Sequence, residues 1–314
     1  MSNQDLRSFG RRGALSVLAG AACLPLAGGP PGAQHQRWTG RALGGRAEML
    51  FADTTSEAAQ QASAAAQAEI DRLDAVFSLW RGDSELSRLN QDGRLAAPSL
   101  DLRIVLGQAL DLARASGGAF DPTVQPLWQA YAELAAAGVL AGRDALPAQV
   151  DRARQLVDWR GVRIAGGRIA LARPGMAVTL NGIAQGYIAD RVADLLHRRG
   201  FGAVLVQLGE TYALGRPPGR DAWRLTGAGA DWRLADRALA TSAGAGSPFT
   251  ADGRFHHLLD PHSGDSARRF RAVSVAHDSA ALADGLSTAL AVLPAARGQA
   301  VLESFGGTAH WQAG

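Results

Sequence analysis

The order of the two hydrophobic periods along the chain limits its fold most. Helix-period segments dominate the first half and short strand-like runs dominate the second. TTSEAAQQASAAAQAEIDRLDAVF (54–77) carries an apolar stripe through Ala62, Ala66, Ile70, Leu73 and Phe77, and Thr54 with Glu57 has capping-box spacing. SLDLRIVLGQALDLARAS (99–116) predicts a second helix that stops at Gly117-Gly118, and PAQVDRARQLVDW (147–159) a shorter one. RWTGRALGGRAEMLFAD (37–53) reads as extended chain interrupted at Gly44-Gly45, SLWRGDSELSRLN (78–90) as a polar turn, and GVRIAGGRIALA (161–172) as a hairpin turning at Gly166-Gly167. Val178-Thr179-Leu180 leads into a helix reaching about Arg199. Strands are predicted over 203–209, 223–229, 237–242, 255–260 and 271–276; a helix over 278–293 stopped by Pro294, then a last helix and strand, close the chain. This order predicts an α+β domain rather than a regular βαβ alternation.

Composition narrows the function. With 47% hydrophobic and 19% charged residues over 314 positions, the chain can bury a substantial core and is not a disordered protein. All 32 basic residues are arginine, yet the net charge is only +3. Arg7, Arg11 and Arg12 against Asp5 give the first 33 residues two of those three charges. No basic field remains to attract nucleic acid.

Residues 1–33 read as an export signal: Arg11-Arg12 precede ALSVLAGAACLPLAGG, an apolar run too short to span a membrane comfortably. Paired arginines before a weakly hydrophobic run resemble a twin-arginine signal and imply a periplasmic location; an ordinary secretory signal is the alternative. Cleavage is expected between Ala22 and Gln34. Membrane association would follow only from lipidation of Cys23, the single cysteine, and Gly20-Ala21-Ala22 before it lacks the usual leucine. Without Cys23 the mature chain, 34–314, has no thiol chemistry and no Cys-ligated metal.

Three polar clusters stand out. TLNGIAQGY (179–187) runs through glycines into a helix, where small residues admit a ligand and free N–H groups suit phosphate; glycine-containing turns of this kind are also common without a ligand. Asp284 and Thr288, at i and i+4, share a helix face. Their two hard oxygens suit Mg²⁺, although on local grounds a dipole-favoured aspartate and a backbone-bonded threonine account for them better. FHHLLDPHSG (255–264) puts His257 and Asp260 near a turn at Pro261, with His257 and Leu259 on one strand face. His257 is either a general base or a structural histidine.

In this order, AFDPTVQPLW (119–128), LNGIAQGYIADRVADLL (180–196), LVQLGETYALG (205–215), ALATSAG (238–244), HHLLDPHSG (256–264) and SVAHDSAALADGLSTALAVL (274–293) resemble the ApbE family of FAD:protein FMN transferases; FSLWRGDSELSRLN (77–90) resembles its serine–aromatic–arginine turn. The resemblance covers about residues 37–311. It implies a single domain with a mixed or antiparallel sheet and flanking helices, over 34–314. It implies an enzyme that cleaves the pyrophosphate of FAD, attaches FMN to a threonine or serine of a partner protein and releases AMP, using Mg²⁺. The metal positions match Gly182, through its carbonyl, Asp284 and Thr288. Flavin contacts match Leu43, Trp80, Ala119, Phe120 and Asp121; Thr241 and Ser242 fall near the phosphates, and His257, with Asp260 behind it in the same motif, matches the base.

Two positions depart from the family. Thr179 replaces a common aspartate and Gln185 a common lysine; both match cofactor-binding positions, and Gln185 donates a hydrogen bond without bringing charge to a phosphate. The Asn-Gly-Ile-Ala-Gln-Gly variant resembles the NosX branch, associated with nitrous oxide reductase maturation, whose acceptor would be a NosR-like or other membrane electron-transfer flavoprotein. Alternatives are a maturation protein that holds or donates FAD without transfer, and an FAD pyrophosphatase. The family's acceptor pattern, Asp-x-x-Thr-Gly-Ala-Thr, does not occur in the chain.

Overall fold

A computed structural model describes residues 22–23, 35–140 and 147–314. Its strands are β1 (Ala22–Cys23), β2 (His35–Ala42), β3 (Gly45–Ala52), β4 (Arg94–Ala96), β5 (Val162–Ala165), β6 (Arg168–Leu171), β7 (Ala203–Gln207), β8 (Thr211–Gly215), β9 (Trp223–Gly227), β10 (Ala230–Leu234), β11 (Arg237–Ala243), β12 (Phe270–His277) and β13 (Thr308–Ala313). Seven of them form one antiparallel sheet in the order β13-β12-β11-β8-β7-β3-β2. Two smaller sheets, β1-β9-β10 and β4-β6-β5, complete the architecture. Apart from β1, the segment read as an export signal lies outside the described residues. No helix among the described residues is long and apolar enough to cross a membrane.

The expected α+β class holds, with several local corrections. The stretch around Gly44-Gly45 is a tight hairpin that turns one residue earlier, at Leu43-Gly44, both with positive φ (+46° and +81°). A two-residue turn needs left-handed backbone at both positions, which glycine adopts freely and leucine does not. Helix α1 (Ser56–Phe77) buries the whole predicted stripe, but its cap is Thr55, whose Oγ1 accepts from the Ala58 N–H at 3.3 Å. Glu57 therefore sits one position too early to close a capping box with it. The supposed polar turn contains α2 (Glu85–Asp92), capped by Ser84. Helix α3 (Leu100–Ala115) ends at Gly117-Gly118 as expected; α4 (Gln125–Ala136) arises where no element was assigned, and α5 (Ala148–Arg154) is shorter than its apolar pattern. The 255–260 segment is not a strand. It forms only isolated bridges, Pro248 to His256 and Leu259 to Ser266, so alternation does not govern it, and Leu258 and Leu259 are both buried.

Two helices position the site. Val178–Leu180 is not a sheet strand before α6 (Ala184–Arg198), because the Asn90 side-chain amide takes the place of a neighbouring strand. That amide accepts from the Val178 N–H at 2.7 Å and donates to its carbonyl at 2.8 Å. Helix α7 (Ala280–Val292) packs on β11, β12 and α6, and α8 (Ala295–Phe305) follows Pro294. Asp190 on α6 accepts from the Ala280 and Ala281 N–H groups and the Ser279 hydroxyl (2.6–3.0 Å), satisfying donors that a helix start leaves open. One turn earlier, a Cβ on Gly186 would lie 2.1 Å from the Ala280 carbonyl oxygen, so only glycine lets the helices approach this closely. The buried face of α7 includes Ala283, Leu286 and Leu290 and joins a core of Met49, Phe51, Ile70, Leu73 and Val273. Each of the larger side chains in this core contributes about 1.5–3 kcal/mol. That core fixes the helix on which the polar residues ride.

Candidate active site

Asp284 and Thr288 lie one turn apart on α7, as their spacing requires. Asp284 is not a first-turn residue. It lies in the second turn, 4% exposed, and its Oδ2 accepts the Gly186 N–H at 3.2 Å. The Thr288 hydroxyl is 3.3 Å from the Ser242 hydroxyl, which is 2.8 Å from that of Ser287. Gly182 closes the cluster. A Cβ there would lie 3.0 Å from Thr288 Oγ1 and 3.4 Å from the Phe120 ring, and its carbonyl oxygen is 3.8 Å from where Gly285 would carry a Cβ. The backbone of the turn before α6 thus faces α7 between the two side chains read as ligands.

One further carboxylate, unassigned by any motif, interacts with this cluster. Glu210, in the connection between β7 and β8, is 4% exposed and accepts the Thr241 N–H through Oε2 at 3.2 Å. Burial pushes its carboxyl well above the usual carboxylate range, and the charge of Asp284 pushes it further. Burial likewise raises Asp284, to about 8, against the lowering effect of the Gly186 N–H. Among the described residues neither carboxylate has a cationic partner. Two buried like charges without a cation are costly, which suits an added divalent ion. No three His, Cys, Asp or Glu side chains gather among the described residues, so the remaining oxygens would come from hydroxyls and a carbonyl, a donor set that fits Mg²⁺.

The histidine loop packs against the end of β11. The His256 ring fills the space a side chain on Gly244 would need (2.7 Å from a Cβ), two residues beyond Ser242. His257, partly buried, is held by Ser247, whose carbonyl accepts from the His257 N–H at 3.1 Å and lies 3.3 Å from its Nδ1. A carbonyl can only accept, so Nδ1 carries the proton and Nε2 keeps its lone pair. Burial, and secondarily His256, push His257 down to about 4, leaving it neutral near pH 7. Among the described residues, Asp260 makes no hydrogen bond to this histidine, whose Nδ1 faces the Ser247 carbonyl. Its Oδ1 accepts from the His262 N–H at 2.9 Å and its Oδ2 from the Ser263 hydroxyl at 3.0 Å, so it holds the Pro261–Gly264 turn.

The residues that the resemblance matches to flavin and phosphate contacts fall in separate places. The Leu43-Gly44 turn meets Trp80, 61% exposed, whose indole lies 3.9 Å from a Cβ built on Gly44. Ala119 and Phe120 are buried, and the Phe120 ring lies beside Gly182. Asp121 folds back on its own loop, accepting from the Thr123 N–H and hydroxyl and the Trp159 N–H (2.6–3.1 Å), while burial raises its pKa. Thr179 caps the turn, accepting from the Asn181 N–H at 3.2 Å, and Gln185 packs its amide against Gly209, where a Cβ would be only 2.6 Å away. Thr241 and Ser242 separate. The strand period of two turns the Thr241 hydroxyl to Ser274 (2.6 Å), beside Gly227 and away from α7, so only Ser242 reaches Thr288 by its side chain.

Comparison with known proteins identifies the family. The ApbE family model matches residues 43–311. FAD:protein FMN transferases from Vibrio cholerae serotype O1 and Treponema pallidum are 32% identical over 266 residues and 30% identical over 271 residues. Each alignment covers 76% of this chain, with 76% and 73% of the respective relatives. Among solved structures, the flavin transferase ApbE from Vibrio cholerae superposes with a TM-score of 0.71 at 26% identity, covering 89% of this chain and 97% of that one. The apo flavinyl transferase ApbE from Pseudomonas stutzeri gives 0.73 at 28% identity, covering 89% and 91%. With the family model spanning all three polar clusters and most of the seven-stranded sheet, the chain belongs to the ApbE family of FAD:protein FMN transferases.

Proposed function

We propose that the chain works outside the cytoplasm, moving FMN from FAD onto a threonine or serine hydroxyl of a membrane electron-transfer flavoprotein, of the NosR type if the NosX resemblance holds. Arg11-Arg12 ahead of the short apolar run supports the location, and the Asn181-Gly182-Ile183-Ala184-Gln185-Gly186 variant supports the acceptor class. The observation that carries the chemistry is the buried Asp284, one turn from Thr288, with no cationic partner among the described residues. The Gly182 carbonyl, Asp284 and Thr288 would hold Mg²⁺. When bound there, Mg²⁺ neutralises charge at the FAD pyrophosphate, which phosphoryl transfer needs more than covalent help.

The chain's own groups do the rest. Trp80, exposed beside the Leu43-Gly44 turn, offers aromatic surface to the isoalloxazine ring, and the buried Phe120 backs the Gly182 turn. His257 takes the acceptor hydroxyl proton on Nε2 as the oxygen bonds to the FMN phosphorus. The bond from that phosphorus to the bridging oxygen breaks, and AMP leaves with the oxygen. A positioned base of this kind contributes about 10²–10⁴-fold.

AMP release measured with and without an acceptor fragment tests the reading. Acceptor should raise the rate, with one AMP formed per FMN attached and no product in a chelator. Equal AMP release in both cases would identify an FAD pyrophosphatase instead.

A further inference from the structure

We propose that Glu210 supplies a second carboxylate charge to the cation centre and sets its affinity for Mg²⁺. The proposal rests on the reading that Gly182, Asp284 and Thr288 hold the ion. Its basis is the way the sheet threads Glu210 into that cluster. Leu208–Glu210 joins β7 to β8 in a connection so short that Gly209 takes a φ of +101°. The Leu208 N–H donates to the Glu210 carbonyl, closing the turn and fixing where the side chain starts. β8 pairs with β11, and Thr241 of β11 donates its N–H to the Glu210 carboxylate. The next residue, Ser242, reaches Ser287 and Thr288 on α7, whose preceding turn carries Asp284. Glu210 and Asp284 therefore flank one short piece of β11, each almost wholly buried.

Neither is neutralised locally. Each accepts a single backbone N–H, from Thr241 and Gly186 respectively, and neither forms an ion pair among the described residues. Gln185, an uncharged amide, packs against Gly209 beside Glu210 and contributes no positive charge. A buried carboxylate facing another is retained at a cost unless a cation accompanies it. A divalent ion held by Asp284 and Thr288 removes that cost, and outer carboxylates of this kind typically change metal affinity 10–100-fold.

The test is Mg²⁺ and Mn²⁺ titration of the FAD-free protein by calorimetry, for wild type, Glu210→Gln and Asp284→Asn, with thermal melts in chelator and in Mg²⁺. Glu210→Gln should bind Mg²⁺ about 10–100-fold more weakly. In chelator it should melt at or above wild type, because a buried carboxylate whose desolvation opposes folding has gone, and it should gain less on adding Mg²⁺. Wild-type affinity in Glu210→Gln overturns the proposal while leaving the Asp284 site standing. An equal loss of melting temperature with and without Mg²⁺ also overturns it, by showing a structural role only. If wild type and Asp284→Asn both fail to bind the ion, the cation reading itself falls, and Glu210 with it.

Discussion

Asp284→Asn should abolish most Mg²⁺-dependent FMN transfer, by a factor on the order of 10²–10³, the cost of removing one preorganised electrostatic group from a transition state. The substitution keeps the size of the side chain, and the asparagine carbonyl can still accept the Gly186 N–H that now reaches Oδ2 at 3.2 Å. It removes a charge whose ionised form burial already opposes. The metal-free fold should therefore survive, and melt no lower than wild type. Initial rates of AMP release across a wide range of Mg²⁺ concentration check this. Excess Mg²⁺ should not restore the rate if the ligand is gone. Full activity at any Mg²⁺ concentration would show that α7 does not hold the ion.

His257→Ala should slow transfer about 10²–10⁴-fold while leaving FAD bound, because a neutral hydroxyl is a poor nucleophile without a positioned base. The pH dependence separates a base from a bystander. Only neutral imidazole can take the proton, and His257 is displaced downward from an ordinary value of 6.5 to about 4. The wild-type rate should therefore persist as pH falls through 6.5 and decline only toward pH 4, where the ring protonates. Stability has the same sign. The unfolded chain takes up this proton first, near 6.5, so the contribution of neutral His257 to stability is present above that pH and shrinks as pH falls toward 4. A kcat/KM profile of wild type beside His257→Ala checks the assignment. A wild-type rate from the variant would place the base elsewhere.

The parts of the molecule legible in the sequence are those set by local rules. The stripe from Ala62 to Phe77, the Gly166-Gly167 hairpin and the Asp284–Thr288 spacing follow from periods of 3.6 and 2 and from glycine's freedom. What is missed depends on distant partners. FHHLLD has the composition of a strand, yet Ser266 and Ser247 satisfy its backbone in place of a neighbouring strand. Asn90 does the same for Val178, 88 residues away. Glu210 looks like an ordinary polar turn residue in LGETY, and only the pairing of β8 with β11 buries it near Asp284. Thr241 and Ser242 are adjacent letters on opposite faces of one strand, so a pair assigned together from a motif contributes one side chain to the site. Asp260 shares a motif with His257 but serves the turn at Pro261.

The most direct test of the central claim is the mass of an acceptor fragment carrying Asp-x-x-Thr-Gly-Ala-Thr after incubation with the protein, FAD and Mg²⁺. A gain of one FMN on the threonine is expected, absent when the metal is chelated. A fragment of unchanged mass, with FAD bound and intact, would contradict transfer and leave a flavin-holding maturation protein.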